Sequence, residues 1–294
     1  MVEVFSFLKF FIEIIIQFFS LLLLYFGCRV VDARRSYRFR SFGWGGLALY
    51  SFLDAVISIS ILNLENLFSR AIIFFIALFM LQYEVRGKDC LEGRSHLYVG
   101  RVVAAGCILN FIFSYVTFLN GALTLFVALQ SIILPFIMGM GISWPFIDTM
   151  GNSIWFKTQF APDLVSGFFP QVRVPVYPTD VAIVYGCTGL REILFLLFAV
   201  AFTKASGEKK KKAFFIAAPL IYAANILRNN LVVGLYGGGL ISYEIAHSLL
   251  GNILVFLAIT VAAVATFLII PEIPAHLSSI LSQFKSFSKS DRPG

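Results

Sequence analysis

The stretch Gly186-Cys187-Thr188-Gly189-Leu190-Arg191-Glu192 runs straight into ten apolar residues, Ile193 to Phe202. A cysteine between glycines at the mouth of an apolar run sets the reading of the whole chain. Two companions follow. Arg228 stands among asparagines (Asn225-Ile226-Leu227-Arg228-Asn229-Asn230), and His247 closes Glu244-Ile245-Ala246-His247. All three lie in runs long enough to enter a bilayer. A charged side chain there is costly, so Arg228 needs a physical reason.

Composition fixes the class. The 294 residues are 59% hydrophobic and only 13% charged, and mean hydropathy is +0.87. Several apolar runs approach the roughly 18 residues needed to cross a hydrocarbon core. The expected fold is an all-α polytopic membrane protein, a single membrane domain over residues 1–294. It has about eight transmembrane helices and a surface-lying segment before the sixth. The first apolar run precedes Arg29, Arg34 and Arg35 without a small-residue cleavage site, and reads as a retained helix. Net charge of +7 reads as topology, because basic residues gather in cytoplasmic loops. No basic face alternates with stacking aromatics, which argues against nucleic acid as a partner. Four cysteines without a CxxC spacing support neither a disulfide framework nor a metal cluster. Cys28 and Cys107 read as small packing residues.

In order, the expected spans are 4–31, 43–62, 67–83, 97–119 and 122–144, with residues 1–144 as a scaffold. Lys9, Glu13 and Gln17 share one face of the first. Residues 145–178 form the one long connection. Asp148 to Phe169 suits a helix lying on the membrane surface and interrupted at Pro162. Gln171 to Tyr177 suits a short extended piece. The catalytic helices are placed within 179–270, as spans 180–204, 213–236 and 242–270. Residues 271–294 are read as a cytoplasmic tail.

Lys209 to Lys212 mark the loop between the sixth and seventh spans as cytoplasmic. Counted at about 1.5 Å per residue from the opposite face, Cys187 lies roughly 10 Å down, Arg228 roughly 12 Å and His247 roughly 8 Å. Three helices thus place their polar residues at similar depth, on the exterior side. The arginines between Arg29 and Arg40 mark that loop as cytoplasmic too. Alternate counting from there puts residues 145–178 inside. The two orientations conflict, and the one adopted follows the lysine loop beside the candidate site.

A thiol is a poor nucleophile until ionised, and neighbouring positive charge favours the thiolate. An imidazole exchanges protons near neutral pH. An arginine cannot act as base, but it can donate to a developing oxyanion. Cys187, His247 and Arg228 together are a parts list for acyl transfer through a thioester. Each alone has a plainer reading: a packing cysteine, a capping or lipid-binding arginine, a hydrogen-bonded core histidine.

At these residues the sequence resembles the exosortase/archaeosortase family of membrane transpeptidases. The likeness rests on Cys187-Thr188-Gly189-Leu190-Arg191, with Thr where Ser is frequent, on Asn225-Ile226-Leu227-Arg228, and on His247 followed by Gly251. It covers about the last half of the chain; the first half is alike only in being hydrophobic. The resemblance implies an enzyme that recognises a C-terminal sorting signal on an exported protein: a short motif, a transmembrane helix and a basic cluster. Cys187 would form a thioester near the motif. A lipid-linked amine or hydroxyl, or water, would resolve it. Localisation in the cell membrane, with the site toward the exterior, follows from the same reading.

Secondary candidates are substrate-binding residues. Arg191, one turn after Cys187, either steers a substrate carbonyl or pairs with Glu192 or Glu244. Asn225 either joins the site or satisfies a buried partner, and Tyr177 and Asp180 shape the substrate entrance. Gly237-Gly238-Gly239 reads as a turn. No cofactor or metal is expected. Two rivals stay open: an intramembrane cysteine protease that only hydrolyses, and a transporter or scaffold without covalent chemistry. HExxH, GxSxG and paired intramembrane aspartates are missing from the sequence, which disfavours other protease classes.

Overall fold

The computed structural model describes residues 12–29, 33–60, 64–86, 95–142, 146–147, 153–160 and 179–290. The chain divides into two compact units, one of residues 1–109, 198–205 and 271–294, the other of residues 110–197 and 206–270.

The first unit is helical. A π-helical turn Ile12–Gln17 continues into α1 (Phe18–Gly27), followed by α2 (Ala33–Ser60), α3 (Leu64–Arg86) and α4 (Ser95–Tyr115), whose residues from Asn110 on are counted with the second unit. Its core joins Leu21, Leu24, Trp44, Leu47, Met80 and Ala104. Two ion pairs tie α2 to α3: Arg40 Nε to Glu84 Oε1 at 2.8 Å and Arg70 Nε to Asp54 Oδ2 at 2.6 Å. Each answers a charge that the apolar surroundings would otherwise reject. Arg40 also donates to the Gly27 carbonyl oxygen and to Ser36 Oγ. Helix α10 (Glu272–Ser290) closes this unit. His276 of α10 stacks on Tyr98 with ring centroids 4.5 Å apart and shares a hydrogen bond with Ser95 Oγ.

The second unit carries α5 (Thr117–Ser131), α6 (Ile133–Ile137) and four strands: β1 (Met140–Ile142), β2 (Phe146–Ile147), β3 (Ser153–Phe160) and β4 (Thr179–Val184). All pairings are antiparallel and all involve β3. β1 and β2 pair with successive parts of one edge and β4 with the other. Ile154 faces Ile183 and Phe156 faces Val181 across the β3–β4 ladder, and all four are buried. Lys157 and Asp180, paired on the opposite face, are exposed. Such alternation is what a half-buried strand requires.

After β4 come a 3₁₀ turn (Tyr185–Thr188), α7 (Leu190–Ala201) and α8 (Gly207–Leu231) with a π-helical extension (Val232–Tyr236). A second π-helical segment (Glu244–Gly251) then leads into α9 (Asn252–Ile269). Ser206 caps α8, its side chain accepting from the Lys209 backbone N–H. Among the described residues, five helical stretches are long and apolar enough to cross a membrane: Arg35–Ile59, Ser95–Tyr115, Thr117–Ile137, Gly207–Tyr236 and Glu244–Ile269.

Five of the eight expected spans have a counterpart among the described residues, and eight are not confirmed: α3 carries Arg70, Glu84 and Arg86, and α1 and α7 have 10 and 12 residues. Two expectations change. Residues 180–204 are not one helix, since Thr179–Val184 pairs as strand β4 and Gly189 breaks the path at φ +70°. The surface helix expected over Asp148 to Phe169 is strand β3 where it is described. The extended piece at Gln171 to Tyr177, Lys9 and Pro162 lie outside the described residues.

Candidate functional site

The second unit gathers the candidate residues at the meeting of the Cys187 turn, the C-terminal end of α8 and the segment before α9. Buried Cys187 shares a core with Ala246, Val232 and Val233, with Val127 and Ala128 of α5, and with the inner face of the sheet. β4 delivers Cys187 directly, three residues beyond Val184. A strand advances faster than a helix, so a depth counted at helical rise from Asp180 does not apply to this residue.

Gly189 makes the turn possible. Its positive φ disfavours side chains, and a Cβ there would lie 2.5 Å from Asn225 Nδ2. Asn225 is buried and donates to the Ile221 carbonyl oxygen at 3.0 Å. It therefore serves as the surface against which the cysteine turn closes. One helical turn further on, Asn229 Nδ2 donates to the Cys187 carbonyl oxygen at 2.8 Å. Asn230 donates to the Gln130 and Ile226 carbonyl oxygens at 3.1 and 2.8 Å and accepts from the Leu134 N–H at 3.0 Å. The three asparagines thus splice α8 to the cysteine turn and to α5 and α6.

Arg228 and His247 meet. Arg228 Nη2 lies 2.5 Å from His247 Nε2. Arginine can only donate, so Nε2 accepts and the ring proton resides on Nδ1. Arg228 is 9% exposed. Its Nε is buried and has no hydrogen-bond partner among the described residues. Gly251 allows this placement: a Cβ there would be 2.9 Å from Arg228 Cγ and 3.3 Å from its Nε. Tyr243 stacks on the His247 ring at 4.8 Å and 15°, and Tyr236 meets Tyr243 edge-on at 5.4 Å. His247 lies within the second π-helical segment, and Arg228 stands four residues before the first. Such turns add a residue per turn and recur at functional sites.

The Cys187 thiol is free, and no hydrogen bond joins it to Arg228 or His247 among the described residues. Arg191 is exposed and pairs with Glu192, Nη2 to Oε1 at 2.9 Å, as one of its two readings had it. Asp180 is exposed on β4, opposite Lys157. Tyr177 lies outside the described residues. Sequence reading missed Tyr243. Tyr243 stands four residues before His247, the spacing that stacks side chains on one helical face. No group of three or more metal-binding side chains occurs among the described residues.

The apolar helices make this a membrane protein with an arginine–histidine pair, Arg228 buried and His247 half-buried, beside a cysteine turn. No protein-family model matches the chain, and neither a curated protein nor a solved structure matches it significantly.

Proposed function

We propose that the chain is a cell-membrane cysteine transpeptidase of the exosortase/archaeosortase kind. In this reading it cleaves the C-terminal sorting signal of exported proteins, with its site toward the exterior side, and transfers them to a lipid-linked or similar acceptor. The observation that carries the reading is the Arg228–His247 contact, joined through neighbouring Asn229 to the backbone of Cys187.

The incoming carbonyl oxygen takes donors of Arg228, whose Nε is unengaged. As Arg228 turns toward it, His247 Nε2 is released to accept the Cys187 proton. The thiolate attacks the carbonyl carbon, and the C–N bond breaks. His247 returns the proton to the departing amine. An acceptor N–H or O–H then attacks the thioester, its proton leaves through His247, and the thiol is restored.

A second reading is anion binding or proton relay without covalent chemistry. It is favoured by the lack of a hydrogen bond between the thiol and either partner. Trapping separates the two. Incubating full-length protein with a substrate carrying a sorting signal yields a hydroxylamine-sensitive adduct on Cys187 under the enzyme reading, lost in Cys187→Ala. A Cys187→Ala protein with undiminished function overturns that reading. Product analysis then divides transfer from hydrolysis: a lipid-modified C-terminus against a free carboxylate.

A further inference from the structure

A cavity of about 410 Å³ in the first unit is lined by Tyr25, Arg29, Arg101 and Phe202. Its volume falls within the range of small-ligand sites, about 300–1,000 Å³. It is also cationic, in a unit whose other described inter-helix charges are paired. Arg40 has Glu84, and Arg70 has Asp54. Arg29 and Arg101 have no carboxylate partner among the described residues.

Arg101 is held in place by the chain itself. Its Nε and Nη2 both donate to the Cys28 carbonyl oxygen, at 3.2 and 2.8 Å. A guanidinium has five N–H donors, so Arg101 keeps donors to spare while its plane is fixed. Arg29 lies over the Tyr25 ring, 5.0 Å from its centroid. Two guanidinium groups on one cavity repel each other unless an anion joins them. A planar fork of donors matches phosphate oxygens two at a time.

The surroundings indicate what carries the phosphate. Ile15, Phe19 and Phe26 are exposed. Phe19 and Phe26, seven apart in α1, share one face, Ile15 lies in the π-helical turn before them, and Arg29 lies in the turn just after Gly27 ends the helix. The exposed apolar stripe therefore ends at the cationic cavity, as an acyl chain ends at its headgroup. Arg29 stands two residues beyond the end of α1 and Arg101 is in the second turn of α4, so both guanidinium groups belong to helix ends, where headgroups lie. Basic pockets among membrane helices bind anionic headgroups on this principle.

We propose that this cavity binds the phosphate of an anionic phospholipid, with the acyl chains along Ile15, Phe19 and Phe26. The proposal is independent of the cysteine site.

Native mass spectrometry of the full chain in a neutral detergent tests it, titrating phosphatidylglycerol, phosphatidylcholine and inorganic phosphate separately. Phosphatidylglycerol is expected to bind at least about tenfold more tightly than phosphatidylcholine, and inorganic phosphate only weakly. Arg29→Gln, at an exposed position, is expected to weaken phosphatidylglycerol about fivefold and leave phosphatidylcholine unchanged. Arg101→Lys keeps a charge but loses the fork and is expected to weaken it too. Because Arg101 also holds Cys28, Arg29→Gln is the decisive variant should Arg101→Lys unfold. Equal binding of the two lipids, or binding unaffected by Arg29→Gln, overturns the proposal. Inorganic phosphate binding as tightly as phosphatidylglycerol overturns the lipid assignment and leaves a free-phosphate site.

Discussion

The side-chain amide of Asn229 donates to the carbonyl oxygen of Cys187 at 2.8 Å. The residue next to Arg228 thereby sets the backbone that carries the thiol. Asn229→Ala leaves that buried acceptor unpaired, at a cost of about 1–3 kcal/mol. Asn229→Asp places an oxygen against an oxygen and is expected to be worse. Thermal unfolding in detergent reads the stability, and adduct yield on Cys187 reads the function. An Asn229→Asp protein as stable as the parent would show that the contact does not hold the turn.

Gly251 packs on the Arg228 side chain, where a Cβ would stand 2.9 Å from Cγ. In an ordinary helix Gly→Ala is favourable; here the added methyl overpacks, by about 1–3 kcal/mol. Gly251→Ala is expected to lower adduct yield by displacing the guanidinium, with a lower unfolding temperature. Unchanged yield and temperature together would mean that Arg228 yields without consequence.

Arg228→Lys retains charge and loses the planar fork. Under the transpeptidase reading, turnover falls roughly a hundred- to a thousandfold, the usual effect of losing an oxyanion donor. The pH–rate profile of the parent shows an ionisation assigned to His247, which His247→Asn removes. A flat parent profile between about pH 5 and 9 counts against His247 as the acid–base partner.

His276 offers a separate pH effect. Burial holds its imidazole below the ordinary histidine value, Lys204 adds to this, and Glu272 opposes it. A group that resists protonation when folded favours the fold above its ordinary pKa, and that support is lost as pH falls below it. Amide protection factors over Glu272–Ile280, each rate taken relative to the unstructured chain at the same pH, are expected to fall as pH drops from about 7 to about 5. His276→Asn removes that dependence. Equal pH dependence in parent and variant would place its origin elsewhere.

Much of the arginine–histidine contact was legible, because a charged or titratable group in an apolar run stands out against its neighbours. Both residues lie on helical segments, so counting at helical rise placed them at matching depth, and they touch. The cysteine count failed because Asp180 to Val184 is extended. β-Branched Thr179, Val181, Ile183 and Val184 carried that signal, but the apolar run behind them read as one long helix. β3 was missed for a related reason. Ile154, Phe156 and Thr158 alternate with Trp155 and Lys157, yet scattered apolar residues near a proline also fit a surface helix. The sheet is fixed by pairing between distant segments, which local periodicity does not report. Gly251 and Gly189 were visible as letters, but their role is the space they leave for Arg228 and Asn225, a property of the neighbours.

The π-wound stretches Val232–Tyr236 and Glu244–Gly251 bear on how this chain tolerates change in length. Each holds a surplus residue relative to regular winding. A wide turn takes up that residue within one revolution, so dropping it restores ordinary winding and leaves the chain beyond nearly unrotated. In the regular helices on either side, each lost residue would turn everything after it by about 100°. In a lineage under selection for the paired site, single-residue deletions are therefore better tolerated in these two segments than in the helices they join.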